Sequence, residues 1–327
     1  MPWKGETDPY KIWLSEIILQ QTRVEQGLKY YENFIKAYPN IEALAAAPQD
    51  AVFKLWEGLG YYSRCRNLMA AAQFIAEKKG GRFPNTYESI LELKGVGPYT
   101  AAAIASFAFD LPHAVLDGNV YRVLSRIYSD ETPTDSTSGK KRFTQLAAAT
   151  LSTSQPGAYN QAIMDFGATI CKPVPLCEGC FFQKHCLAFQ EGRQRELPVK
   201  EKKTRIRERW FHYFLIEKEG KILVQQRQAK DIWQGLYEFP LIETEGPATL
   251  RSMREKAAQL FKITEASNLK ILSTTTQKLS HQTVHFTFYE SSWPSVEVGK
   301  GMKWMGKKAI GTRAFPRTLQ QFLQVHH

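Results

Sequence analysis

Two carboxylates and a group of thiols stand where residue type and spacing could do chemistry. Glu16 lies in Asp8-Pro9-Tyr10-Lys11-Ile12-Trp13-Leu14-Ser15-Glu16-Ile17-Ile18-Leu19-Gln20-Gln21-Thr22. That stretch predicts a helix, with Asp8 as its cap and Pro9 at the first helical position, where a missing N–H costs nothing. On a helix, Glu16 neighbours Ile12, Trp13, Leu19 and Gln20. Three of these are large and apolar, so burial should raise its carboxyl pKa, as a general acid near neutral pH requires. A glutamate at the rim of a core helix has the same local signature. Asp117, in Leu116-Asp117-Gly118-Asn119-Val120, precedes another helical pattern and reads as an N-cap. Helix N–H groups and the helix dipole are expected to keep it ionised. One protonated and one ionised carboxyl is the pattern of acid-plus-stabiliser chemistry at a glycosidic carbon.

The thiols are Cys171, Cys177, Cys180 and Cys186, four of the five cysteines, within one short loop. Such clustering favours a metal or cluster site over a dispersed disulfide framework. Only Cys177/Cys180 has the Cys-x-x-Cys spacing typical of zinc; four thiolates without paired spacing also suit an Fe–S cluster. The remaining Cys65 reads as structural. Gly95-Val96-Gly97-Pro98-Tyr99-Thr100 is a further candidate. Two glycines allow backbone angles closed to other residues, and Pro98 starts a helix whose N–H groups could face a phosphate. A tight turn without a ligand is the alternative.

Short helices are expected to position these groups, over 28–38, 51–59, 66–79 and 87–93, punctuated by Gly, Pro and Asn. Residues 188–208 are charged and nearly free of large apolar side chains, as in an interdomain linker. Beyond them the period changes. Strands are expected over 210–216 and 221–227, a helix over 250–261, and strands near 270–275 and 284–289. The 327-residue length favours two domains, and 43% hydrophobic content supplies their cores. A formal charge of +11 favours a polyanionic partner without separating nucleic acid from an acidic membrane surface. With no run of about 18 apolar residues and no signal-like start, a soluble cytoplasmic protein with no membrane role is expected.

In this order the motifs resemble the adenine DNA glycosylase family, MutY, of the helix-hairpin-helix/Gly-Pro-Asp superfamily. They are Trp-Leu-Ser-Glu-Ile-Ile-Leu-Gln-Gln-Thr at 13–22, Glu-Gly-Leu-Gly-Tyr-Tyr-Ser-Arg at 57–64, Gly-Val-Gly-Pro-Tyr-Thr at 95–100, Leu-Asp-Gly-Asn-Val at 116–120, and the cysteine loop. The resemblance implies a mostly α-helical glycosylase domain over 1–187 carrying a cluster loop at 171–186. A basic linker at 188–208 and an α+β Nudix-like domain over 209–327 complete the chain. It implies a monomer, nucleoid-associated if bacterial, that removes adenine opposite 8-oxoguanine or G from double-stranded DNA after flipping the base. Glu16 would protonate adenine N7 and Asp117 would stabilise the oxocarbenium-like sugar, with Tyr99 and Asn119 in the same site. Gln161 would contact adenine and Leu19 would keep the pocket dry. Gln21, Thr22 and Tyr61 would engage the opened duplex, Gly95 and Gly97 the backbone, and Ser280 with His281 the 8-oxoguanine. Ordinary packing is the alternative for Tyr61, as is a hydrogen-bonded strand position for His281. The cysteines would hold a [4Fe–4S] cluster.

The sequence also departs from that pattern. Between Cys171 and Cys177 stand five residues where the family usually has six. The family's helix ahead of Pro2-Trp3 is missing and Lys4 replaces its usual arginine, so a truncated or internally started chain is expected. In the C-terminal part, Arg254-Glu255-Lys256-Ala257-Ala258-Gln259-Leu260 keeps one carboxylate where a Nudix hydrolase clusters several for Mg²⁺. Binding without hydrolysis is expected there. The rivals are an inactive mismatch binder and an endonuclease III-like lyase. The lyase would need a nucleophilic lysine where this chain has Tyr99, and Lys94 lies before the hairpin.

Overall fold

The computed structural model describes residues 2–201, 206–263, 268–291, 293 and 296–326. The chain divides into two compact units, residues 1–46 with 66–203, and residues 47–65 with 204–327.

The first unit is helical. Helix α1 (Pro9–Leu19) is capped by Asp8, which accepts from Tyr10 N at 2.9 Å. It stops three residues before the expected end at Thr22. Gln21 takes a left-handed φ of 55° and Thr22 N closes onto the Leu19 carbonyl at 3.1 Å, so Gln21 and Thr22 sit on a turn. There follow α2 (Val24–Ala37), α3 (Ile41–Ala45), α4 (Gln49–Trp56), α5 (Tyr62–Lys78) and α6 (Tyr87–Leu91). Then come α7 (Pro98–Phe109), α8 (Gly118–Ile127), α9 (Thr137–Thr150), α10 (Pro156–Thr169) and the short α11 (Leu187–Gln190). Of these, α4 and the start of α5 belong to the second unit.

Helix α7 is the axis of the first unit. Its run of buried residues from Thr100 to Ser106, small at every position but Ile104, lets α1 and α10 pack close to it. A Cβ on Gly157 of α10 would stand 2.8 Å from the Ser106 carbonyl oxygen. From α1, Ile12, Trp13, Leu14, Ile17 and Ile18 are buried, each contributing about 1.5–3 kcal/mol by leaving water. Part of the expected linker packs here as well. Leu197, one of its few large apolar residues, is buried, and Val199 O accepts from Thr134 N at 3.0 Å. Linker residues 202–205 lie outside the described residues.

The rest of the second unit is built on a seven-stranded sheet: β1 (Arg207–Lys218), β2 (Lys221–Gln226), β3 (Tyr237–Glu238), β4 (Leu241–Thr244), β5 (Lys270–Lys278), β6 (Gln282–Ser291) and β7 (Met302–Gly306). The path runs β3-β2-β1-β6-β5, with β4 on β1 and β7 on β2. β1 and β6 run parallel, Phe211 facing Phe286 in register. Alternation along β1 sends Phe211, Tyr213 and Leu215 into one core and Phe214 and Ile216 into the other. Helix α12 (Leu250–Phe261) covers the second core through Met253, Ala257 and Phe261, and α14 (Arg317–His326) covers the first through Leu319 and Phe322. A five-residue helix, α13 (Lys307–Gly311), lies between them in sequence.

Candidate active site

Glu16 projects from α1 toward a cavity of about 610 Å³ in the first unit. Trp3, Glu6 and Ile12 line it on one side, residues 106–110 at the end of α7 on another, and Gly157, Ala158 and Gln161 of α10 on a third. Burial pushes the Glu16 carboxyl up to about 7; a hydrogen bond from the Tyr99 hydroxyl lowers it and the negative charge of Asp117 raises it. Tyr99, in the first turn of α7, hydrogen-bonds Glu16 and feels the negative charge of Asp117, and its hydroxyl also lies 3.6 Å from Met164 Sδ.

Asp117 caps α8, accepting from Val120 N at 2.7 Å and from Asn119 Nδ2 at 2.8 Å. Burial nevertheless raises its pKa, outweighing these donors and the more distant charge of Arg122. The helix-end donors expected from the sequence are present and pull the pKa down, while desolvation pulls the other way and sets the direction of the net shift. Asn119 braces Asp117, and is itself held by Arg122, whose NH2 donates to Asn119 Oδ1 at 2.8 Å and to Gly167 O at 2.7 Å. Arg122 Nε also donates to Cys171 O at 2.7 Å. Sequence reading passed over Arg122, although its position three residues after Asn119 on a helix signals a shared face. It also passed over Asn160, which is buried and fully engaged. Asn160 donates to Ser106 Oγ (2.9 Å) and His113 O (2.8 Å) and accepts from Val115 N (3.2 Å), tying α10 and α7 to the segment that delivers Asp117.

Gln161 lines the cavity, its Nε2 donating to Asp165 Oδ1 at 3.0 Å. Leu19 lies against Gly27, where a Cβ would meet it at 2.7 Å. Gln21 is exposed and Thr22 half-buried. In the hairpin, Gly95 takes φ +82° and a Cβ there would strike Asn67 at 2.6 Å. Gly97 does not share that need: its φ is −102°, in the extended region. What it provides is open space, since nothing lies within 4 Å of a Cβ there, beside the first turn of α7, which has no side-chain cap. The expectation of two conformationally required glycines is corrected to one.

The four cysteines are free thiols lining one pocket with Ile127, Phe166, Phe182 and Arg126. Arg126, buried, donates from NH1 to Cys171 Sγ at 3.4 Å and to Lys172 O at 2.6 Å. Among the described residues, no three His, Cys, Asp or Glu side chains form a group that could hold a metal ion.

Tyr61, Ser280 and His281 belong to the second unit. Tyr61 has φ +48° and lies outside α5; the residue is 42% exposed and its hydroxyl is hydrogen-bonded to Ser280 Oγ. Ordinary helix packing does not describe it. Ser280 and His281 form the exposed turn between β5 and β6, so His281 does not occupy a buried strand position.

Residues 14–146 match the HhH-GPD superfamily base excision DNA repair protein model, and residues 212–325 match the NUDIX domain. The chain is 35% identical to the adenine DNA glycosylase of Buchnera aphidicola (subspecies Baizongia pistaciae) over 87% of this chain and 79% of that protein. It is 29% identical to the human adenine DNA glycosylase over 100% of this chain and 71% of that one. Among solved structures, a thermostable thymine-DNA glycosylase is similar at 31% identity and a TM-score of 0.55, covering 58% of this chain and 88% of that chain. An endonuclease III–DNA covalent intermediate shares the fold at 20% identity and a TM-score of 0.51, covering 57% and 87%.

Proposed function

The chain belongs to the adenine DNA glycosylase family, MutY, and from that premise we propose that it hydrolyses the N-glycosidic bond of adenine opposite 8-oxoguanine or G in duplex DNA. The observation that carries the assignment is Glu16, raised to about 7 by burial at a cavity of about 610 Å³, with a hydrogen bond from Tyr99 and the negative charge of Asp117 nearby. At neutral pH a substantial fraction of Glu16 holds its proton and can deliver it to N7 of a flipped adenine. The protonated base leaves with the bonding pair. Asp117, held by Val120 N and Asn119, faces the positive charge that develops on the sugar, and water completes the hydrolysis at C1′.

The position after the hairpin is Tyr99, and Lys94 precedes it. A phenol forms no Schiff base, which supports a monofunctional hydrolase over a lyase. The uncapped start of α7 beside Gly97, on a chain of charge +11, suits a DNA phosphate. The exposed Tyr61, Ser280 and His281 carry the donors and ring faces that would recognise 8-oxoguanine.

The cysteine loop fits a [4Fe–4S] cluster by its donor set, four free thiols on one largely apolar cavity with Arg126 beside Cys171. Bound there, the cluster would cross-link the loop and supply a charged, redox-capable centre. The NUDIX domain is read as a binding module, because Glu255 on α12 is exposed and paired with Arg251.

Single-turnover cleavage of duplexes carrying A opposite 8-oxoguanine, G or T tests the assignment, with Glu16→Gln and Asp117→Asn alongside. Adenine release lost in Glu16→Gln is expected. Ordinary release in that variant would sink the acid role, and tight binding without any abasic product from the unmutated chain would favour a binder. Iron and sulfide in the purified protein are expected; zinc without iron would overturn the cluster.

A further inference from the structure

We propose that Asp165 fixes which end of the Gln161 amide faces the cavity, and so makes the pocket select a purine with an exocyclic amino group over one with an oxo group. The inference rests on the proposed function, since adenine must be the base that occupies the cavity.

Gln161 and Asp165 stand one turn apart on α10, and Gln161 Nε2 donates to Asp165 Oδ1 at 3.0 Å. A carboxylate accepts and does not donate. It therefore takes the amide by its nitrogen and leaves the carbonyl oxygen for whatever enters the cavity that Gln161 lines. Asp165 is held in turn at its other oxygen by Lys4 Nζ at 2.7 Å, from a segment whose neighbours Trp3 and Gly5 line the same cavity. Without this carboxylate the amide can turn over and present its NH₂ group. The two ends suit different bases. The carbonyl accepts from a 6-amino group, whereas the NH₂ would donate to a 6-oxo group. A fixed acceptor facing a 6-oxopurine sets two acceptors against each other and leaves both unpaired, the costly outcome in a desolvated site. Asp165 is a positioning residue in this scheme: it touches Gln161 and not the base. Lys4 and Asp165 are both nearly half exposed, so their ion pair contributes little stability. What matters is the direction of one hydrogen bond.

The test is single-turnover cleavage of duplexes carrying adenine or hypoxanthine opposite 8-oxoguanine, by the unmutated chain, Asp165→Asn and the double variant Gln161→Glu/Asp165→Asn. The cost of extruding each base cancels when rate ratios are compared between variants. In Asp165→Asn the ratio of adenine to hypoxanthine rates is expected to fall about tenfold, because an asparagine accepts either end of the amide. In the double variant the carboxylate at position 161 only accepts and the amide at position 165 can donate to it, so the ratio should recover. Equal loss for both bases in Asp165→Asn, or an unaltered ratio, would overturn the inference while adenine release by the unmutated chain still upheld the glycosylase assignment. No adenine release by the unmutated chain would overturn the assignment and this inference with it.

Discussion

Glu16 in the helical unit and Glu238 in the sheet unit are both carboxyls raised by burial, yet their surroundings differ. Glu238 is 2% exposed and surrounded by donors: Arg227 NH1 at 3.2 Å, the Tyr213 hydroxyl at 2.9 Å and Gln225 Nε2 at 3.1 Å. Next to it, Asp231 is raised by burial, but hydrogen bonds from Arg209, Ile232 N and Arg227 outweigh that and leave it at about 2. Both guanidiniums also lie over the Phe211 ring, at 4.7 and 5.2 Å from its centroid. Every charge in that network has a partner. Glu16 instead has a phenol and another acid, and opens onto a cavity. Burial alone therefore does not mark a working carboxyl. Burial without a cation, beside space for a ligand, does.

The contrast can be broken from either side. Removing the acid should have the largest effect: Glu16→Gln is expected to slow single-turnover adenine release by about a thousandfold with duplex affinity kept, measured by quenched cleavage and by titration. Arg227→Met should do the reverse. It leaves Glu238 buried without its cation and should cost about 3 kcal/mol of stability in denaturant melts. Adenine release per folded molecule should stay within about twofold, as expected for a network that takes no part in the chemistry; a large rate loss would refute the separation of roles. A smaller effect is expected for Arg122→Met, which frees Asn119 from its hold: a loss of about tenfold in rate, with binding retained. Unchanged kinetics would show that Asp117 needs only its backbone donor.

The last effect is a pH signature. Glu16 keeps its proton to about pH 7 in the folded chain, against an ordinary value of 4.5. Its contribution to stability is thus complete below 4.5 and is lost as pH rises toward 7. Glu16→Gln, which does not titrate, should gain stability relative to the unmutated protein between about pH 5 and 8. A difference in Tm that is flat with pH would contradict a raised Glu16.

Much of the architecture was legible from local rules. Asp8-Pro9 starts α1 because a cap and a proline are compatible only with a helix N-terminus. The helix expected at 250–261 occurs with those bounds, since Thr249 caps it and Met253, Ala257 and Phe261 recur on one face. β3, β4 and β7 were missed; two to five residues long, they carry too little periodicity to stand out. The end of α1 was misplaced because Gln20-Gln21 are good helix formers that carry no stop signal, whereas a left-handed φ at Gln21 turns the chain away.

The sequence by itself determined the reactive groups and their immediate setting: an acid among apolar helix neighbours, an aspartate at a helix start, four thiols in one loop. These follow from spacings of a few residues, over which backbone geometry is nearly fixed. Only the tertiary structure decided how those groups act on one another. It brought Tyr99 onto Glu16 and the charge of Asp117 near both, and it let burial outweigh the helix cap in the direction of the Asp117 pKa shift. It also turned Asn119 into a brace and placed Asp165 and Lys4 behind Gln161. Desolvation and long-range hydrogen bonds depend on what packs from elsewhere in the chain, and no local pattern encodes that.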